Sequence, residues 1–178
     1  MTKDCLDLIS LFNKLFQQTE ETILIGGATE PLYLPKSSDF PFNQVIFTQD
    51  YFSSALHEVA HWCVAGAERR QLVDYGYWYN PDGRDTNAQL LFEQAEIKPQ
   101  ALEWIFSSAA GIRFRVSADN IAGNNIASDT FKKNIYLQTL RYLNNSLPTR
   151  AELFKQALLE FYQSTHLFSK ETFLLTDL

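Results

Sequence analysis

Cysteine is nearly missing from this 178-residue chain: Cys5 and Cys63 are the only two, and they stand 58 positions apart. They make no disulfide framework and no Cys-x-x-Cys zinc or redox pair. Basic residues are also short. Fifteen Lys and Arg against 21 Asp and Glu leave a net charge of −6 with no basic block, a poor basis for gripping nucleic acid through its phosphates. No apolar run approaches the ~18 residues of a membrane-spanning helix. The opening stretch, Met1–Glu21, is broken by Asp4, Asp7 and Lys14 and carries neither a basic leader nor a small-residue cleavage site, so it does not read as a secretion signal. The expected compartment is the cytoplasm, with no membrane and no direct nucleic-acid partner. Repeats, low-complexity tracts and long linkers are missing too. The 46% apolar and 14% aromatic content is enough for one core, so a single domain over 1–178 is expected.

What is present changes its apolar period several times, which predicts an α+β fold, a small twisted sheet packed with helices. Cys5, Ile9, Phe12 and Phe16 fall at helical spacing. Thr22–Ile25, Leu32–Leu34 and Gln44–Thr48 read as strands separated by Gly26-Gly27 and by the stretch from Pro35 to Phe42. Tyr51 to Ala65 reads as a helix, with Asp50 or Ser53 as its cap and Gly66 as its stop. Asp74–Tyr79 alternates as a further strand, followed by the turn Asn80-Pro81-Asp82-Gly83. Asn87–Gly111 is helical with Pro99 starting a new helix or kinking a long one, and Leu102, Ile105, Phe106 and Ala109 form its buried stripe. An irregular stretch from Arg113 to Ser128 precedes helices over Phe131–Leu143 and Ala151–Tyr162, the latter opened by a Thr149/Glu152 capping box. Ser169–Leu175 adds a short last helix.

The chain has three histidines, and two of them sit in His57-Glu58-Val59-Ala60-His61. At about 100° per residue His57 and His61 lie about 40° apart on one helix face and can grip one metal ion. Leu56, Val59, Ala60 and Cys63 fall on the other side as an anchor for the core, Cys63 serving as a small apolar residue. The plainer alternative is two histidines on an ordinary exposed face. Two histidines are too few for a catalytic centre, which usually takes three protein ligands. His166 reads as a surface or capping residue, which leaves a carboxylate. Glu93, Glu96 and Glu103 are the candidates. Glu96, 35 residues beyond His61 and just before Ile97-Lys98-Pro99, is favoured for its stiff local backbone; Glu93 and Glu103 read as solvated helix surface. Glu58 would act as general base on metal-bound water in a hydrolase, or pass protons in an oxygenase. Tyr75, Tyr77, Trp78 and Tyr79 form either strand packing or an aromatic wall for a long side chain. Asp82 and Asp85 in the following turn could receive an amine, with Arg84 orienting one of them.

These blocks resemble the bacterial elongation factor P hydroxylase family. The likeness runs through Glu30-Pro31-Leu32-Tyr33-Leu34-Pro35, the segment from Leu56 to Gly66, Arg69-Arg70, Leu72 to Tyr79 and Pro81 to Asp85. It continues in Phe92-Glu93, Glu96 to Leu102 and Val116 to Asn120. The resemblance implies a hydroxylase that uses O2 on the lysine of elongation factor P after a β-lysyl group has been attached. It also implies a zincin-like scaffold and a metal site, with Fe(II) the expected ion and Zn(II) possible in isolated protein. Ligand roles carry over to His57, His61 and Glu96. Two other readings stand beside it: a zinc peptidase or other metallohydrolase with Glu58 as base, and a binding module with a structural metal. The scarcity of Cys and His weighs against a closed structural site.

Overall fold

The computed structural model describes residues 3–49, 51–76, 86–118, 127–165 and 168–178. Among them are five α-helices and a three-stranded mixed sheet, an α+β arrangement. Helix α1, Cys5–Phe16, starts where the Asp4 side chain accepts a hydrogen bond from the Leu6 amide, and it buries Leu8, Phe12 and Phe16. Asn13 on this helix accepts the Leu24 amide at 2.8 Å, tying α1 to the first strand.

Strands β1 (Thr22–Ala28), β2 (Leu32–Leu34) and β3 (Asn43–Thr48) lie in the order β1-β3-β2. β1 pairs parallel with β3, and β2 pairs antiparallel with it. The β1 register slips between Ile25 and Ala28. At Gly26 an added Cβ would stand 2.7 Å from the Phe47 ring, so the close approach requires glycine. All three strands fall where the short apolar runs place them, to within a few residues, but Gly26-Gly27, expected to end the first run, lie inside β1.

Helix α2, Phe52–Val64, packs on β3 and on helix α3, Thr86–Ala109, and buries Leu56, Val59, Ala60 and Cys63 as the stripe predicts, with Trp62 added. The expected Ser53 cap does not form at its start. Tyr51 occupies the cap position without a side-chain bond, Ser53 lies inside the helix, and Asp50 is outside the described residues. Its end is fastened instead by arginines. Arg150 donates to the Trp62 and Ala65 carbonyls at 2.8 and 2.7 Å, Arg70 donates to Ala65 at 3.1 Å, and Glu20 lies 3.7 Å from both guanidiniums. Cations at a helix C-terminus satisfy its orphan carbonyls and its dipole. Arg150→Met keeps the stem and loses these donors. It should lower stability by about 1.5–3 kcal/mol in urea unfolding, the range for hydrogen bonds to charged groups.

Helix α3, Thr86–Ala109, runs through Pro99 without a break, so of the two expectations for this stretch the single helix is the one observed. The missing amide of Pro99 deprives the Ala95 carbonyl of its helical donor. Leu102, Ile105, Phe106 and Ala109 are fully buried. Helix α4, Asp129–Asn144, is capped by Ser128, and helix α5, Thr149–Phe161, follows Pro148. The Thr149/Glu152 capping box does not form. Thr149 is already helical, and the Glu152 carboxylate is taken by Lys155 and Gln156. The expected last helix is two 3-10 turns, Lys170–Thr172 and Leu175–Asp177. An aromatic cluster joins the layers: Trp62 meets Phe12 and Phe16 at ring distances of 5.1 and 4.8 Å, and Phe154 meets Phe106 at 5.0 Å.

The strand expected over Asp74–Tyr79 is not one in its described part. Val73–Gly76 is a tight turn in which Asp74 (φ 48°) and Tyr75 (φ 58°) are both left-handed. Such conformations cost of order 1–3 kcal/mol each and persist only where the surroundings impose them. Here the Asp74 carboxylate accepts the Tyr33 amide at 2.8 Å, covering the open edge of β2. Arg69 donates to the Tyr75 carbonyl at 2.9 Å, and the Tyr33 and Tyr75 rings stack at 4.2 Å. Long-range contacts override the local alternation.

Candidate metal centre

Two elements build the site. α2 supplies His57 and His61 from the face opposite its buried stripe, and α3 supplies Glu96, Gln100 and Glu103, three buried polar residues at i, i+4 and i+7. Helix-borne donors on a packed scaffold are held more firmly than donors on loops. Ligand atoms of His57, His61 and Glu96 all lie within 4.8 Å of one another, so the three residues could hold one ion. The Nε2 atoms of the two histidines face each other at 3.1 Å. Glu96 brings one oxygen to 3.0 Å from His61 Nε2 and the other to 3.6 Å from His57 Nε2.

The fit of a cation follows from the other side of the His57 ring. Its Nδ1 lies 2.7 Å from Glu103 Oε2, and an ionised carboxylate can only accept, so Nδ1 carries the proton and donates. In the neutral ring Nε2 then offers a lone pair toward a second imidazole and a buried anion. Only a positive centre, a proton or a metal ion, satisfies that convergence. Without a metal the electrostatics say the same. Burial pulls the His57 pKa down, yet Glu103 and Glu96 outweigh it and hold it up at about 10. Burial would raise Glu96, but His61 and His57 draw it down to about 2. The donor set of two imidazoles and a carboxylate suits a divalent first-row ion with positions left open.

Gln100 steadies the carboxylate. Its amide nitrogen donates to Glu96 Oε2 at 3.2 Å and to the Ser117 carbonyl at 2.8 Å, while its oxygen accepts the Ser117 amide. Glu58 stands on the flank. Burial raises its pKa above the ordinary carboxyl value in spite of His57 and His61, which favours the protonated form.

Of the three carboxylate candidates, Glu96 is the one placed with the histidines. Glu93 points elsewhere and accepts a hydrogen bond from the Ser128 hydroxyl at 3.0 Å. Glu103 corrects the expectation of a solvated surface: it is buried and orients His57. The signal that could have found it is the helical spacing of Glu96, Gln100 and Glu103, which sets the three polar residues on one face beside the apolar stripe of Leu102, Ile105, Phe106 and Ala109. Glu103→Gln should weaken metal binding by about 10–100-fold, as the loss of such orienting partners does, read by competition with a chromophoric chelator. His166, Tyr77, Trp78, Asp82, Arg84 and Asp85 lie outside the described residues. Cys63 is buried in the core as expected.

Fold and site together define an α+β protein built around a His-His-carboxylate cluster, with its His-Glu-x-x-His on a core-anchored helix. Residues 11–173 match the family Elongation factor P hydroxylase, and the chain belongs to that family. It is 49% identical over 158 residues, 89% of each chain, to the Elongation factor P lysine hydroxylase of Haemophilus influenzae.

Proposed function

We propose that this chain hydroxylates a lysine of elongation factor P, in its β-lysylated form, at the His57–His61–Glu96 site. Family membership and the half-identical relative support lysine hydroxylation of elongation factor P. The observation that carries the site assignment is the convergence of those three ligand atoms, with Glu103 fixing the tautomer of His57. The peptidase reading gains no support, since both the family and the relative are named for hydroxylation.

In this reading His57, His61 and Glu96 hold Fe(II), which when bound supplies the activation of O2. Inserting one oxygen atom into a C–H bond releases the other as water and consumes two electrons and two protons from an external reductant. Glu103 keeps the His57 lone pair aimed inward, and Gln100 keeps Glu96 from rotating away. Glu58 holds a proton beside the reacting position, as its burial favours. The packing of the motif helix on β3 supports a zincin-like reading of the scaffold, and a single domain over 1–178 belongs to the same proposal. No helix among the described residues is long and apolar enough to cross a membrane. The reaction belongs in the cytoplasm, where elongation factor P works.

The test compares one preparation loaded with Fe(II) and with Zn(II), each incubated aerobically with β-lysylated and with unmodified elongation factor P. Added oxygen on the β-lysylated protein alone, and with Fe(II) alone, is expected. Peptide-bond cleavage with Zn(II) would instead revive the hydrolase reading.

A further inference from the structure

The segment that follows α3 doubles back along it. Gly111 is left-handed (φ 70°), and the Gly111 and Ile112 amides donate to the Ser108 and Ser107 carbonyls at 3.0 and 2.9 Å, the pair of bonds that ends a helix on glycine. From there to residue 118 burial alternates. Phe114 and Ala118 are buried and Ile112 and Val116 half-buried, whereas Arg113, Arg115 and Ser117 are exposed. A period of two marks an extended strap with one face on the core. The strap is pinned to α3 at two levels. Phe114 stacks on Trp104 with ring centres 5.9 Å apart, and one turn earlier on the helix Gln100 grips Ser117.

Gln100 is fully buried, and both of its amide hydrogens are engaged. One goes to the Ser117 carbonyl at 2.8 Å and the other to Glu96 Oε2 at 3.2 Å, while the Gln100 oxygen accepts the Ser117 amide at 3.1 Å. The Ser117 backbone thereby fixes which way the carboxamide faces, because its N–H only donates and its carbonyl only accepts. Turned over, Gln100 would set its oxygen against both the Ser117 carbonyl and the Glu96 carboxylate. A residue 17 positions away in the chain therefore decides which atom meets the metal ligand. With Oε2 engaged by Gln100, Oε1 stands free toward the ion, 3.0 Å from His61 Nε2.

We propose that Gln100 is a positioning residue of the metal centre whose own orientation is set by the strap, so that metal binding at Glu96 and attachment of residues 112–118 to α3 strengthen each other. With the strap detached, the carboxamide is free to turn, Glu96 loses its donor, and the carboxylate is no longer held beside the two histidines. Linkage makes the effect reciprocal: the factor by which a detached strap weakens the metal is the factor by which bound metal holds the strap down. This inference rests on the ligand assignment above and not on the hydroxylation, so neither substrate nor turnover enters its test.

Gln100→Met keeps the length of the side chain and its helix preference and removes all three hydrogen bonds. Ser117 is exposed, so its freed backbone groups can turn to water and the fold should persist, as circular dichroism would show. Chelator competition should find Zn(II) held about tenfold less tightly, the lower end of what losing an orienting partner costs. Ser117→Pro leaves α3 untouched and deletes the strap amide that Gln100 accepts; it should weaken Zn(II) about fivefold, the lower end of ordinary coupling between sites. Hydrogen exchange read by mass spectrometry supplies the signature that a merely structural role would lack. In the unsubstituted protein Zn(II) should slow exchange across 112–118 by about tenfold. In Gln100→Met that slowing should vanish from the strap while α2, which carries both histidines, keeps its own. Unchanged Zn(II) affinity in Ser117→Pro, or strap exchange in the unsubstituted protein that ignores Zn(II), overturns the coupling. An unsubstituted protein that takes up no Zn(II) overturns the ligand assignment and this inference with it.

Discussion

Replacing His57 or His61 with alanine abolishes tight binding of one divalent ion while the fold persists. Each substitution removes one of three converging ligand atoms. The affinity loss should exceed the about 10–100-fold that accompanies loss of a mere orienting partner. The helix itself should survive, because its anchor is the buried stripe of Leu56, Val59, Ala60 and Cys63 on another face. Alanine is also the best helix former. His57→Ala carries the larger stability cost, since it leaves the buried Glu103 carboxylate without its partner. That cost is about 1–3 kcal/mol, against the ~5–15 kcal/mol of a typical domain. Metal stoichiometry by elemental analysis and helix content by circular dichroism check both halves. Unchanged stoichiometry in both variants removes the site.

Glu96→Gln should be nearly as severe for metal binding, and Glu93→Gln nearly silent. The two residues are three apart on one helix and chemically identical, so the contrast isolates geometry. Glutamine at 96 keeps the size of the side chain and can still accept from Gln100, but it loses the negative charge set beside both histidines. At 93 an amide oxygen can still accept from Ser128, and stability should change by no more than ~0.5 kcal/mol. Chelator competition on the two variants in parallel reads the difference. Equal losses, or the reverse order, would transfer the ligand role to Glu93.

The parts legible in the sequence are those that obey a period. The buried stripe of α2 and the His57/His61 face follow from helical spacing, because side-chain direction repeats at fixed intervals, and the strands β1 to β3 from short β-branched or apolar runs set off by turn residues. Its place before Pro99 favours Glu96, but the helix runs on through that proline, and it is the packing of α3 on α2 that brings the carboxylate beside the histidines. What stayed hidden depends on residues distant in the chain. Glu103 reads as a solvated carboxylate until His57, 46 positions earlier, is brought to its side. The turn at Asp74 and Tyr75 carries a strand-like alternation, and only the open edge of β2 and the Arg69 guanidinium force it left-handed. The end of α2 is fastened by Arg150, which no local signal connects to it.

The central claim is that this cluster of two histidines and a carboxylate puts an atom of O2 onto elongation factor P. Its most direct test uses the Fe(II)-loaded protein, β-lysylated elongation factor P, a reductant and heavy-isotope O2 in ordinary water. Mass spectrometry of the peptide bearing the modified lysine should show one added oxygen carrying the heavy isotope, absent when His61→Ala protein is used. An added oxygen of ordinary mass, coming from water, or no addition by protein with full Fe(II) content, would contradict the account.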